Sequence, residues 1–138
     1  IRRGDYLEID FFKIISLEYY LEAINVILKK IEDPEFFVFS DDIEWVKTNL
    51  KVSKKIHFVN IDGDSDNDGM IDIEEFFLMK NCKYNIIANS SFSWWASYLN
   101  DYEKKITIAP KKWYNNKSYQ SSLEKHPIFP KDWIVLDY

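Results

Sequence analysis

Short, unbroken apolar runs alternate along this chain with segments whose apolar residues recur at spacings of three and four, the pattern left by strands and helices taken in turn. Leu17, Tyr20, Leu21, Ile24, Leu28 and Ile31 form a stripe of helical period behind Ser16, a capping residue, and the stripe stops before Pro34. Phe36 to Phe39 is continuous and rich in strand formers, which predicts a strand buried on both faces. Asp41 and Glu44 form a capping-box pattern ahead of Ile43, Val46 and Leu50, so a second helix is expected there. Lys55 to Asn60 reads as a strand, Ile71 to Cys82 as a third helix and Asn85 to Ala88 as a short buried strand. Ser91 is the expected cap of a fourth helix through Leu99, and Ile106 to Ala109 is a strand closed by Pro110. Beyond it the tail reads as irregular, apart from a late strand at Trp133 to Leu136.

Continuous apolar strands separated by helices predict an α/β chain, doubly wound, with a mainly parallel sheet covered on both faces. With 138 residues and no Gly/Ser linker or repeat, the span 1–138 is expected to be one domain. An apolar content of 46% suffices for a real core and excludes disorder as the main state. A net charge of −5 disfavours nucleic acid as a partner. Cys82 stands alone, so neither an intrachain disulfide nor a multi-cysteine zinc site is available. No run approaches the roughly 20 apolar residues of a membrane span. The chain opens without methionine, inside a motif, and is expected to be a piece of a longer protein.

In such folds ligands sit outside the carboxyl ends of the strands, where turns lead into helix N-termini. Three turns qualify: Arg2-Arg3-Gly4-Asp5, Ser40-Asp41-Asp42 and Asn89-Ser90-Ser91. The last offers hydroxyls and amides at the positive end of a helix dipole, a place for an anion or merely for a helix cap. Arg2 and Arg3, as neighbours in extended chain, point to opposite faces, so one is free for a ligand while the other is held inside. A guanidinium fork suits phosphate oxygens, and Asp5 is placed to orient it.

Residues 64–75 fit the EF-hand calcium loop at its diagnostic positions. Asp64, Asp66, Asp68 and Asp72 supply oxygens at positions 1, 3, 5 and 9, Met70 a backbone carbonyl at position 7, and Glu75 a closing bidentate carboxylate, with Gly69 at the turn. The context is unlike an EF-hand, because a strand rather than a helix is expected to enter the loop. The site would be a structural calcium staple, and a calcium module centred on 64–75 is the alternative to a catalytic reading. A glycan-binding domain using Trp113 and Trp133 as surface platforms is a further one.

The segments Ile1-Arg2-Arg3-Gly4-Asp5-Tyr6, Phe37-Val38-Phe39-Ser40-Asp41-Asp42 and Cys82 to Trp95, continued by Leu99-Asn100 and Ile108 to Trp113, resemble glycosyltransferase family 11, the alpha-1,2-fucosyltransferases. The resemblance implies the Rossmann-like, donor-binding C-terminal half of a GT-B enzyme. That enzyme would transfer L-fucose from GDP-fucose to the 2-hydroxyl of a terminal galactose in a glycan, with inversion and no metal required for transfer. By matching position, Arg2 would contact the donor's pyrophosphate and stabilise the leaving group, Arg3 would hold the loop, and Asp5 is the acid of the same motif. Asn89, Ser90, Ser91 and Phe92 would line the nucleotide site, and Asp41 would reach the donor or its ribose. The motif's histidine, two positions before Arg2, and the half expected to help bind acceptor are missing, so donor binding without turnover is the expectation for this fragment alone. Richness in Lys, Ile and Asn suggests a bacterial source, for which a cytoplasmic location with peripheral membrane association is expected; for an animal source the resemblance would imply the Golgi, with a membrane anchor upstream.

Overall fold

The computed structural model describes residues 1–59 and 68–138, the side chains of 68–71 excepted. Ser16 holds extended backbone (φ −74°, ψ 158°) and opens α1 (Leu17–Leu28). The helix buries Tyr19, Tyr20, Ala23, Ile24 and Ile27 against the strands. β1 (Phe36–Val38) and β2 (Ile56–Phe58) pair in parallel, Phe37 opposite His57, and α2 (Ile43–Asn49) connects them. α3 (Asp68–Asn81) leads to a second parallel sheet of order β3 (Tyr84–Ile86), β4 (Ile106–Pro110), β5 (Ile134–Leu136). Its connections are α4 (Ser91–Tyr98) and α5 (Lys117–Lys125).

Alternation along the strands assigns the faces. Ile108 packs with Ile15, Tyr19, Tyr20, Ala23 and Ile27 on the α1 side. Its neighbour Ala109 packs with Ile87, Trp113, Leu123 and Trp133 on the other. The sheet is thus covered on both faces, as a chain of continuous apolar strands requires. Tyr19, fully buried, satisfies its hydroxyl by donating to the Ile87 carbonyl at 2.8 Å, with the Ile108 carbonyl 3.1 Å away.

Several expectations are corrected. Trp113 and Trp133 are not surface platforms but 5% and 7% exposed: both pack with Ile87, Ala109 and Leu123, and the Trp113 indole N–H donates to the Pro110 carbonyl at 3.0 Å. The tail is not irregular: Asn116 caps α5 by accepting from the Ser118 and Tyr119 amides. α3 begins at Asp68, three residues before the expected Ile71. Among the described residues, the parallel strands form two sheets rather than one.

Between β1 and β3 the chain's first residue enters. The Ile1 amino group donates to the Phe39 carbonyl at 2.6 Å, and the Ile1 side chain packs against the cores on both sides.

Candidate functional site

The turn after Ile1 separates its two arginines as strand alternation predicts. Arg3 is held inward, its backbone amide donating to Asp41 Oδ1 at 2.9 Å and its Nε to Asp42 Oδ2 at 3.2 Å. Its guanidinium lies 4.1 Å from the centre of the Trp45 ring, a cation–π contact. Arg2 faces outward with its side chain 39% exposed, Nη2 on Asp5 Oδ2 at 2.7 Å and Nη1 3.3 Å from Asp41 Oδ2. Two carboxylates thus orient the fork while leaving it reachable, and an anion entering the site would replace them.

The Ser40-Asp41-Asp42 turn is tied to this one. Gly4 lets the chains approach so closely that a methyl group there would stand 3.0 Å from Asp41 Oδ2 and 3.4 Å from the Asp41 carbonyl oxygen. The helix cap is Asp42 rather than the expected Asp41, its carboxylate accepting from the Trp45 amide at 3.3 Å. Asp41 is left to bind the arginine turn. One capping residue later than expected, the local pattern yields to that longer-range demand.

The third turn is fixed from beneath. Asn89, 1% exposed, donates through Nδ2 to the Lys13 and Trp113 carbonyls at 2.7 and 2.8 Å, so its amide nitrogen anchors the turn. Its own carbonyl accepts from the Tyr6 hydroxyl at 3.1 Å, and the Tyr6 ring lies 5.5 Å below the Arg2 guanidinium. Tyr6 therefore joins the arginine turn to the start of α4. The cap of α4 is Ser90, not the expected Ser91, and its side chain makes no capping hydrogen bond. The first amides of the helix remain open beside the exposed Ser91, which suits an incoming anion.

Phe92 points elsewhere. Its ring meets Phe76 of α3 edge-on at 5.5 Å, in a shallow hollow shared with Asp72, Ile73 and Phe77. Of the calcium ligands expected from sequence, Asp64 and Asp66 lie outside the described residues. Asp68 and Met70 stand in the first turn of α3, inside a helix where a chelating loop was expected. Asp72 and Glu75 follow on the same helix, and burial, reinforced by Asp72, pushes the Glu75 carboxyl above its usual range. Among the described residues no group of three or more metal-ligating side chains comes together. Tyr6 and Trp45 are the site residues to which sequence reasoning had given no role, and Asp42, placed in a candidate turn, serves as the cap of α2.

An oriented, exposed arginine and a helix N-terminus without a side-chain cap, beside the carboxyl ends of β1 and β3 in a parallel α/β fold, form an arrangement suited to an anionic ligand. The model of glycosyl transferase family 11 matches residues 1–137. An alpha-1,2-colitosyltransferase of Escherichia coli is 38% identical over 99% of this chain and 46% of its own length. The O-antigen biosynthesis glycosyltransferase WbnK of Escherichia coli is 37% identical over 86% of this chain and 39% of its own. The galactoside alpha-(1,2)-fucosyltransferase 1 of Leontocebus fuscicollis is 30% identical over 72% and 27%. No solved structure matches. The chain belongs to glycosyltransferase family 11. It spans less than half the length of each of these relatives.

Proposed function

We propose that this chain is the donor-binding portion of an inverting alpha-1,2-glycosyltransferase that moves L-fucose, or a closely related deoxyhexose, from a guanosine diphosphate sugar to the 2-hydroxyl of a terminal galactose in a glycan. The observation that carries the reading is Arg2, oriented by Asp5 and Asp41 yet exposed, linked through Tyr6 to the open start of α4. In the transfer, the bond from the sugar's anomeric carbon to the β-phosphate oxygen breaks, and the acceptor oxygen bonds to the opposite face of that carbon. The acceptor loses its hydroxyl proton. Charge develops on the departing diphosphate, where a guanidinium fork and helix amides are of greatest value. The described residues supply this leaving-group side of the reaction, with positive charge from the chain itself in the role a metal ion plays elsewhere.

The colitosyltransferase relative favours a second donor of the same class, a colitosyl nucleotide, which the same phosphate contacts would accept. The reading extends to a cytoplasmic enzyme that meets its glycan at a membrane surface; no described helix is long and apolar enough to cross one. The test is transfer by the full-length protein in EDTA, offered GDP-fucose or GDP-colitose with a galactose-terminated oligosaccharide, the product's linkage read by NMR. An alpha-1,2-linked product from either donor is expected. Failure with both donors, in a protein that is folded and does not bind GDP, would overturn the assignment.

A further inference from the structure

The apolar cleft between the two sheets is an unusual feature for a core. It encloses about 840 Å³ and is bounded on one side by β1 and on the other by β3. Tyr20, Ile24 and Ile27 of α1 line one wall, and Leu78 and Met79 of α3 another. Phe37, at the centre of β1, lines the cleft and is 52% exposed.

Among the described residues, both flanking strands turn an unused hydrogen-bonding edge into this space. The Phe36 amide donates to the Lys55 carbonyl and the Val59 amide to the Val38 carbonyl, so residues 36 and 38 face β2. In a strand alternate residues direct their backbone groups to opposite edges, which turns Phe37 and Phe39 toward the cleft. The Ile87 amide donates to the Ile108 carbonyl, so by the same parity Tyr84 and Ile86 face the cleft from the other side. At the mouth, the Ile1 amino group already makes the next bond of such a ladder, to the Phe39 carbonyl.

We propose that the cleft is the berth of a sixth parallel strand, supplied by chain on the N-terminal side of Ile1, which joins the two sheets into one. The bond from Ile1 to Phe39 sets the register, placing the four residues before Ile1 opposite Phe36 to Phe39. Buried on both faces, that strand is apolar throughout. The sheet then runs β2, β1, the new strand, β3, β4, β5. Numbered from the new strand this is 3-2-1-4-5-6, the doubly wound order, with its switch point between the new strand and β3. Arg2 leaves one side of that switch point and Asn89 the other, so the berthed strand sets the separation of the two anion-binding turns. The relatives, of which this chain covers less than half, have the length to supply it. This inference stands whether or not the donor assignment does.

The test compares the chain starting at Ile1 with two extended forms, one carrying five alternating valines and isoleucines before Ile1, the other five glycines and serines. The apolar extension is expected to slow hydrogen exchange at the Phe37, Tyr84 and Ile86 amides at least tenfold and to raise the melting temperature by about 5 °C. Folding of only the apolar-extended chain would support the berth equally. Unchanged exchange at those three amides would overturn it. So would undiminished binding of the dye ANS to the apolar-extended chain, which would mark the cleft as a ligand pocket. In the full-length protein with Cys82→Ser, a cysteine placed three residues before Ile1 should form a disulfide with Phe37→Cys, since paired strands bring such positions within bonding reach. Failure to cross-link under mild oxidation would overturn the register.

Discussion

Arg2→Ala is expected to lower kcat/KM of the full-length enzyme about 100- to 1,000-fold, the usual loss when a donor aimed at developing charge is removed. It should abolish measurable calorimetric binding of GDP by this chain while leaving the melting temperature nearly unchanged. Stability is spared because Arg2 pairs with Asp5 and Asp41 at the surface, where such ion pairs contribute little. Arg3→Ala should do the reverse in proportion. It removes the contact with Trp45 and the partner of Asp42, the cap of α2, and so lowers the melting temperature before it touches affinity. Arg2→Lys keeps the charge but not the planar fork and should recover only part of the loss. GDP binding that survives in Arg2→Ala would place the diphosphate elsewhere.

That the two arginines part was legible in the sequence, because neighbours in extended chain cannot share a face; which of them turns outward came only from the resemblance. Much of the fold was legible for similar reasons: α1 through its apolar stripe, and β3 and β4 through runs too apolar to face water; β1 was found by its run but is not buried on both faces as expected, Phe37 being 52% exposed. α5 escaped because its segment buries only Leu123 and depends instead on the Asn116 cap, a signal lost among polar residues. The caps of α2 and α4 each fell one residue from expectation, since local patterns rank capping residues but do not reveal that Asp41 is claimed by Arg3. Trp113 and Trp133 looked equally suited to surface and core, and their packing with Ile87 and Ala109, which no local pattern reveals, decides for burial. The link from Tyr6 to Asn89 spans 83 residues and has no local signature at all. Likewise the division into two sheets cannot be read from strand patterns, because it depends on what lies between β1 and β3.

The buried Asn89 side chain is where the largest loss of stability is expected. Asn89→Ala deletes two hydrogen bonds at once and strands the Lys13 carbonyl, which has no other partner among the described residues; the Trp113 carbonyl keeps the Lys13 amide at 2.9 Å. An unsatisfied half-buried carbonyl and a lost anchor together cost about 2–4 kcal/mol, or about 10 °C in melting temperature for a chain of this size. Because the Asn89 backbone holds Tyr6 and begins the α4 turn, GDP affinity should fall along with stability, whereas Arg2→Ala separates the two. Asn89→Asp is the sharper test. It replaces the N–H donors with an oxygen facing two carbonyls, so the carboxyl is driven to its neutral form and its pKa in the folded state rises above the unfolded value. Folding then binds a proton, and the variant must lose stability as pH climbs from about 4 through neutrality. A melting temperature for Asn89→Asp that holds constant over that range would mean the side chain has turned to solvent. The turn before α4 would then owe its shape to Tyr6 and the helix rather than to this anchor.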